Sequence, residues 1–217
     1  MFNDDVLAYL EGFLTEGRKQ RFLEVLQQRT RYVTVAIEDV YQLHNTSAVI
    51  RSCDAFGIQD VHIVEDRFGK RLDKNIAMGA EQWVDVSRYS TTSECITTLK
   101  DKGYEIIATT PHHDSIPLSD FTLNTKTALF FGTEKEGLSE EVIQKADRFL
   151  KIPMVGFSES LNVSVSAAII IREVMEKLKK AKISWQISDI EILEKRLDWT
   201  KKSIKDVENI ISRYLNT

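Results

Sequence analysis

Cysteine is nearly absent from this chain. Cys53 and Cys95 are the only two in 217 residues. Two thiols are too few for a disulfide framework or a four-ligand zinc site, so both are expected to be small, buried or half-buried thiols of a cytoplasmic protein. No apolar run approaches the roughly 20 residues that a bilayer-crossing helix needs, and the opening Met-Phe-Asn-Asp-Asp lacks the basic start of a signal peptide. No membrane partner is expected. Only three prolines occur, and they mark no linker; no internal repeat or low-complexity segment is present. The net charge of −4 excludes wholesale coating of nucleic acid but leaves room for a local basic surface.

Several familiar motifs are missing as well. No Gly-x-Gly-x-x-Gly follows the first strand-like run, and Gly132-Thr-Glu-Lys-Glu-Gly137 lacks the Gly-Lys-Ser/Thr of a phosphate-binding loop. No nucleophile elbow is present. Nothing has metal-ligand spacing: His112 and His113 are adjacent, cannot easily face one ion, and are expected to lie in a solvent-facing loop. No metal is expected.

Hydrophobic residues make up 42% of the chain, enough for a real core. Residues up to about Arg31 read as helical, with Val6, Leu7, Leu10 and Phe13, then Phe22, Val25 and Leu26, at helical spacing. The second of these helices is basic (Arg18, Lys19, Arg21, Arg29, Arg31), a pattern compatible with a solvated face or a phosphate-binding one. Val33-Thr-Val-Ala-Ile37 reads as a buried strand. A loop over residues 38–47, a helix over 48–56 closed by Gly57, and a strand over 61–64 follow. Residues 66–82 read as a polar loop and 83–86 as a short strand. Residues 91–102 read as a helix closed by Gly103, and 105–110, 127–131 and 149–152 as further strands. Ser139, ahead of Glu140 and Glu141, reads as a helix N-cap. A long helix begins near Asn162 and runs into a second basic patch, Lys177-Leu-Lys-Lys-Ala-Lys182. The tail reads as one or two amphipathic helices with Ile190, Leu193, Leu197, Ile204, Val207, Ile210 and Ile211 on an apolar stripe. Strand–loop–helix–strand order implies an α/β fold with a parallel sheet.

Three polar clusters follow three strands: residues 45–51, 132–137 and 156–162. In an open parallel sheet, ligands bind at the carboxyl ends of strands, so the three clusters are placed to converge. Small residues after Asn162 (Ser164, Ser166, Ala167, Ala168) would let a ligand or another backbone come close to a helix start, itself a site for polar or anionic groups.

The three clusters resemble the three signature motifs of the SPOUT superfamily, in its SpoU/TrmH branch of RNA ribose 2′-O-methyltransferases. They are Asn45-Thr-Ser-Ala-Val-Ile-Arg51 with the following Ser-Cys-Asp-Ala-Phe-Gly; Phe131-Gly-Thr-Glu-Lys-Glu-Gly-Leu-Ser139; and Ile152-Pro-Met-Val-Gly through Ser160-Leu-Asn-Val-Ser-Val-Ser166. Their order and separation match from about Arg18 to Lys180. The resemblance implies a parallel-sheet SPOUT domain over residues 32–182, with a deep trefoil knot in its C-terminal part. A basic, RNA-binding N-terminal helical extension (1–31) and a C-terminal helical extension (183–217) would flank it. It implies a cytoplasmic homodimer that uses S-adenosyl-L-methionine to methylate a ribose 2′-oxygen of tRNA, at guanosine 18 of the D-loop. A ribosomal RNA target, or a catalytically silent RNA-binding module of the same fold, is the alternative.

Carried onto this sequence, the resemblance implies a catalytic set of Arg51, Asn45, Glu134, Ser160 and Asn162. Backbone groups of Thr109, Phe131, Gly132, Ile152 and Leu161 would bind the cofactor. Arg18, Arg21, Arg29, Lys177, Lys179 and Lys180 would contact RNA phosphates. Arg51 would act on the ribose hydroxyl, as base or as electrostatic stabiliser, although a guanidinium has no acceptor. Asn45 would position Arg51, and Glu134 would orient Arg51 or the target nucleotide.

Overall fold

The strand Val33–Glu38 is buried along its whole length, as a strand covered by helices on both faces requires of a β-branched run. In the computed structural model, which describes residues 2–39, 43–65, 79–112, 114–133 and 135–216, it is the first strand of a seven-stranded sheet. In chain order the elements are α1 (Phe2–Glu11), α2 (Glu16–Leu26), β1 (Val33–Glu38), α3 (Leu43–Phe56), β2 (Asp60–Val64), β3 (Asp85–Tyr89), α4 (Thr92–Asp101), β4 (Glu105–Thr109), β5 (Ile116–Pro117), β6 (Thr127–Phe131), α5 (Glu140–Lys145), β7 (Arg148–Lys151), α6 (Val163–Lys180), α7 (Asp189–Ser203) and α8 (Val207–Leu215). Two compact units result: Thr30–Trp185, and Met1–Arg29 together with Gln186–Thr217.

The sheet belongs to the first unit. Its strand order is β3-β2-β1-β6-β4-β7-β5, with every neighbouring pair parallel. The parallel α/β class expected from the element order is what the chain adopts. One apolar cluster packs α3 and α6 on the sheet through Val49, Ile50, Ile170, Ile171 and Val174; a second gathers Ile96, Leu99, Phe130 and Val142 from α4, β6 and α5. Gly57 closes α3 and Gly103 follows α4, both with positive φ, which a residue without Cβ adopts freely. Thr91 and Ser139 cap α4 and α5 by accepting from Glu94 and Val142 backbone N–H groups.

The structure departs from the sequence reading in several places. Helix α3 begins at Leu43 rather than near Ala48, so Asn45, Thr46 and Ser47 lie in its first turns and are buried. Polar side chains there hide the apolar periodicity that marks a helix elsewhere. The third strand starts at Asp85, not Trp83, in register with Asp60. The guanidinium of Arg31 bonds the carboxylates of both Asp60 and Asp85, pinning the first residues of β2 and β3 side by side. The short strand β5 has no pattern of its own and forms only as an edge against β7. Of the polar loop expected over 66–82, residues 66–78 lie outside the described residues, and Ala80–Gln82 forms a single 3-10 turn.

The second unit brings the two ends of the chain together. Trp199 of α7 is 2% exposed and meets the Phe22 ring of α2 edge-on at 5.5 Å. Glu11 of α1 takes two bonds from Arg196 of α7, at 2.5 and 2.7 Å. Tyr9 stacks on Tyr214 of α8 at 4.3 Å. Ser188 and Glu191 form a capping box at the start of α7. Ile190, expected on the apolar stripe, is exposed; the buried face of α7 is set by Trp199 instead.

Candidate active site

β4 lies between β6 and β7, so the loops leaving the carboxyl ends of these three strands emerge side by side. They enclose an open cavity of about 520 Å³, within the ordinary size of a small-ligand site. Thr109 ends β4, Phe131 and Gly132 leave β6, and Ile152 and Leu161 belong to the segment between β7 and α6; all five line this one cavity. Ser160 lines it too. The Thr109 hydroxyl donates to the Phe130 carbonyl at 2.6 Å, which commits its one O–H donor.

Residues 132, 133 and 135–138 form one wall. Thr133 and Gly137 exchange backbone N–H···O bonds, each 3.0 Å, closing the loop on itself. Where its two feet cross, a Cβ at position 132 would lie 2.5 Å from the Leu138 nitrogen and collide with the Gly137 backbone, so only glycine fits. His112, Lys135, Glu136 and Glu159, which were not among the expected site residues, also line the cavity. His112 is exposed, as expected; His113 lies outside the described residues.

The third motif is organised by Asn162. Its side-chain oxygen accepts from the Ser164 and Val165 backbone N–H groups, capping α6. Its amide nitrogen donates to the Asn45 side-chain oxygen at 3.2 Å, joining the third motif to the first. Asn45 is 3% exposed and turned inward. Arg51, six residues on and so roughly 120° around the helix, faces solvent. Asn45 bonds Asn162; the resemblance assigns it to positioning Arg51. Glu134 lies outside the described residues.

The expected phosphate contacts divide. Arg18 and Arg21 are exposed on α2, as are Lys179 and Lys180 at the end of α6. Arg29 is a correction: it is 1% exposed, with its guanidinium 5.4 Å from the Trp199 ring, and so is spent inside its own unit. Lys177 is a second correction. Its ammonium donates to the carbonyls of Leu118, Ser119 and Phe121, at 2.7, 2.6 and 3.0 Å, which uses all three of its donors.

A parallel α/β sheet with an open cavity at its carboxyl edge, lined by loop residues both apolar and charged, defines a class that binds a small ligand where the strands end. Comparison with known proteins makes the assignment narrower. Residues 32–172 match the SpoU rRNA methylase family, and the chain belongs to that family. The chain is 38% identical over 216 residues, 97% of its length and 99% of the relative's, to the tRNA (guanosine(18)-2′-O)-methyltransferase of Borreliella burgdorferi. The crystal structure of the A. aeolicus TrmH/SpoU tRNA modifying enzyme superposes with a TM-score of 0.77 at 29% identity, covering 88% of this chain and 98% of that one. The SpoU methyltransferase AviRb of Streptomyces viridochromogenes, solved with the cofactor AdoMet, shares the fold: TM-score 0.64 at 22% identity, covering 73% of this chain and 65% of that one.

Proposed function

We propose that this chain methylates the ribose 2′-oxygen of guanosine 18 in the D-loop of tRNA, with S-adenosyl-L-methionine as methyl donor, and that it works in the cytoplasm. The observation that carries the reading is the convergence of Thr109, Phe131, Gly132, Ile152, Leu161 and Ser160 on one cavity. Those residues fit the donor: an adenosine moiety needs backbone groups and apolar surface around it, which Thr109, Gly132, Ile152 and Leu161 can supply. The likeness to the tRNA (guanosine(18)-2′-O)-methyltransferase of Borreliella burgdorferi, which matches nearly end to end, supports the substrate.

When bound, S-adenosylmethionine supplies an activated methyl group with a thioether as leaving group, so little bond-making help is needed from the protein. The chain's task is to hold the ribose in line with that methyl and to favour loss of the hydroxyl proton to solvent as the carbon–oxygen bond forms. Arg51 has no acceptor, so its assigned role is donation to the developing alkoxide and the neighbouring phosphate. Asn162, held by the cap and by Asn45, presents a fixed polar edge beside the cavity residues Leu161 and Ser160. Glu134 is assigned to orienting Arg51 or the nucleotide.

The reading includes a trefoil knot in the catalytic domain, residues 32–182, supported by the insertion of β4 between the two later strands β6 and β7. It also includes flanking extensions 1–31 and 183–217, with phosphate contacts from Arg18, Arg21, Lys179 and Lys180. A homodimer is supported by exposed apolar side chains on one face of α6, Val165 and Ile169, spaced by four, with the exposed Leu161 just ahead of the helix. Light scattering at micromolar concentration is expected to give a dimer, and Val165→Glu a monomer.

The deciding experiment is methyl transfer from labelled S-adenosylmethionine to an unmodified tRNA transcript, wild type beside Arg51→Ala, with the labelled nucleotide mapped. Label on the ribose of guanosine 18, lost in the variant, is the expected result. Label on ribosomal RNA alone would move the substrate. Cofactor binding without transfer to any RNA would overturn the enzymatic reading.

A further inference from the structure

Glu38 is the last residue of β1 and is 2% exposed. A buried carboxylate is costly unless its oxygens are bonded, and these are. One oxygen accepts from the Thr92 hydroxyl at 2.5 Å and from the Ser139 hydroxyl at 2.6 Å; the other accepts from the Ser139 backbone N–H at 2.7 Å. Two of these three bonds go to one residue, and that residue ends the loop that walls the cavity.

We propose that Glu38 is a positioning residue that sets the shape of the methyl-donor cavity by anchoring Ser139, the far foot of the loop over residues 132–139. The inference rests on reading that cavity as the methyl-donor site. The near foot of the loop continues from β6 and is held by the sheet. The far foot lies in no strand; Ser139 is the N-cap of α5. Between the feet, Thr133 and Gly137 are bonded to each other, and Gly132 lies against the Gly137–Leu138 backbone with no room for a Cβ. These contacts tie the described parts of the loop to one another, so where Ser139 is held decides where the walls formed by Thr133, Lys135, Glu136 and Leu138 stand. The anchor comes from the strand whose end leads toward α3, the helix of Asn45 and Arg51, so one carboxylate ties the cofactor loop to the element bearing the first motif.

Thr92 provides the internal control. It opens α4, is buried, and gives Glu38 a bond of the same kind without lining the cavity. The test measures S-adenosylmethionine affinity by calorimetry on the full chain without RNA, beside the melting temperature, for Glu38→Gln, Ser139→Ala and Thr92→Val. Glu38→Gln and Ser139→Ala are expected to weaken cofactor binding roughly tenfold, the equivalent of one bond to a charged group. Thr92→Val is expected to lower the melting temperature while leaving cofactor affinity within about twofold. Should Glu38→Gln fold poorly, Ser139→Ala against Thr92→Val carries the same comparison. Melting temperatures lowered in all three with cofactor affinity unchanged would overturn the proposal and leave Glu38 a packing residue. Wild-type protein that binds no S-adenosylmethionine would instead overturn the reading of the cavity, and the inference with it.

Discussion

The side-chain amide of Asn162 donates to Asn45 at 3.2 Å, across 117 residues of chain, and the same side chain caps α6 with its oxygen. One residue thus sets the start of α6 and fastens it to the first turns of α3. Asn45→Ala and Asn162→Ala should therefore not be additive. A double-mutant cycle in urea is expected to give a coupling of about 1 kcal/mol. Asn162→Ala alone should cost about 1 kcal/mol more than Asn45→Ala, because it also removes the cap. Additive losses would mean the two amides do not communicate.

Gly132→Ala places a methyl against the Gly137 and Leu138 backbone, where neither side can yield as a flexible side chain would. The expected cost is about 1–3 kcal/mol, as for other overpacked sites, with S-adenosylmethionine binding lost at temperatures where the variant is still folded. Calorimetric titration with the cofactor, run beside circular dichroism, checks both parts. Unchanged affinity would mean that the loop's closed shape is irrelevant to binding.

His62 is buried in β2 with Nδ1 2.9 Å from the Tyr89 hydroxyl. Burial, and to a smaller degree the charge of Lys102, pushes its pKa down from the ordinary 6.5 to about 4. Between these two values the unfolded chain binds the proton and the folded one does not. Stability should therefore fall as pH drops through 6.5 and level off near 4, by an amount on the order of 3 kcal/mol. Urea denaturation from pH 7 to 4, wild type against His62→Gln, isolates the effect; equal slopes would remove His62 as its source.

Lys177→Met should cost about 1–3 kcal/mol, since three carbonyls lose a charged donor, and should leave the salt dependence of tRNA binding unchanged. Lys179→Met and Lys180→Met should do the reverse: little loss of stability and a salt slope smaller by about one for each phosphate contact removed. Filter binding at several salt concentrations separates the two. A reduced slope in Lys177→Met would restore that residue to the RNA surface.

Much of the cavity's lining was legible in the order of residues because its parts are local. Strands ending at Thr109, Phe131 and Lys151, and a helix capped at Asn162, announce themselves through short apolar runs and breakers within a few residues. Placing their loops at the carboxyl ends of parallel strands then brings them together. What escaped has a common physical origin. A carboxylate at a strand end, such as Glu38, reads like any solvated acid until the chain folds Thr92 and Ser139 onto it. A basic run shows how much charge is present but not which group turns inward, so Arg29 and Lys177 read the same as their exposed neighbours Arg21 and Lys179. The start of α3 was hidden because its buried residues are polar, and their partner, Asn162, is far away in the chain.

The sequence by itself determined the alternation of strands and helices, the parallel sheet and the three clusters, because backbone propensity and apolar periodicity act over one or two turns. Only the tertiary structure decided the strand order that puts β4 between β6 and β7, the link between Asn45 and Asn162, and the anchoring of Ser139 by Glu38. Each of these is a contact between segments distant in sequence, and a buried polar group takes whichever partner the packing brings within hydrogen-bond reach.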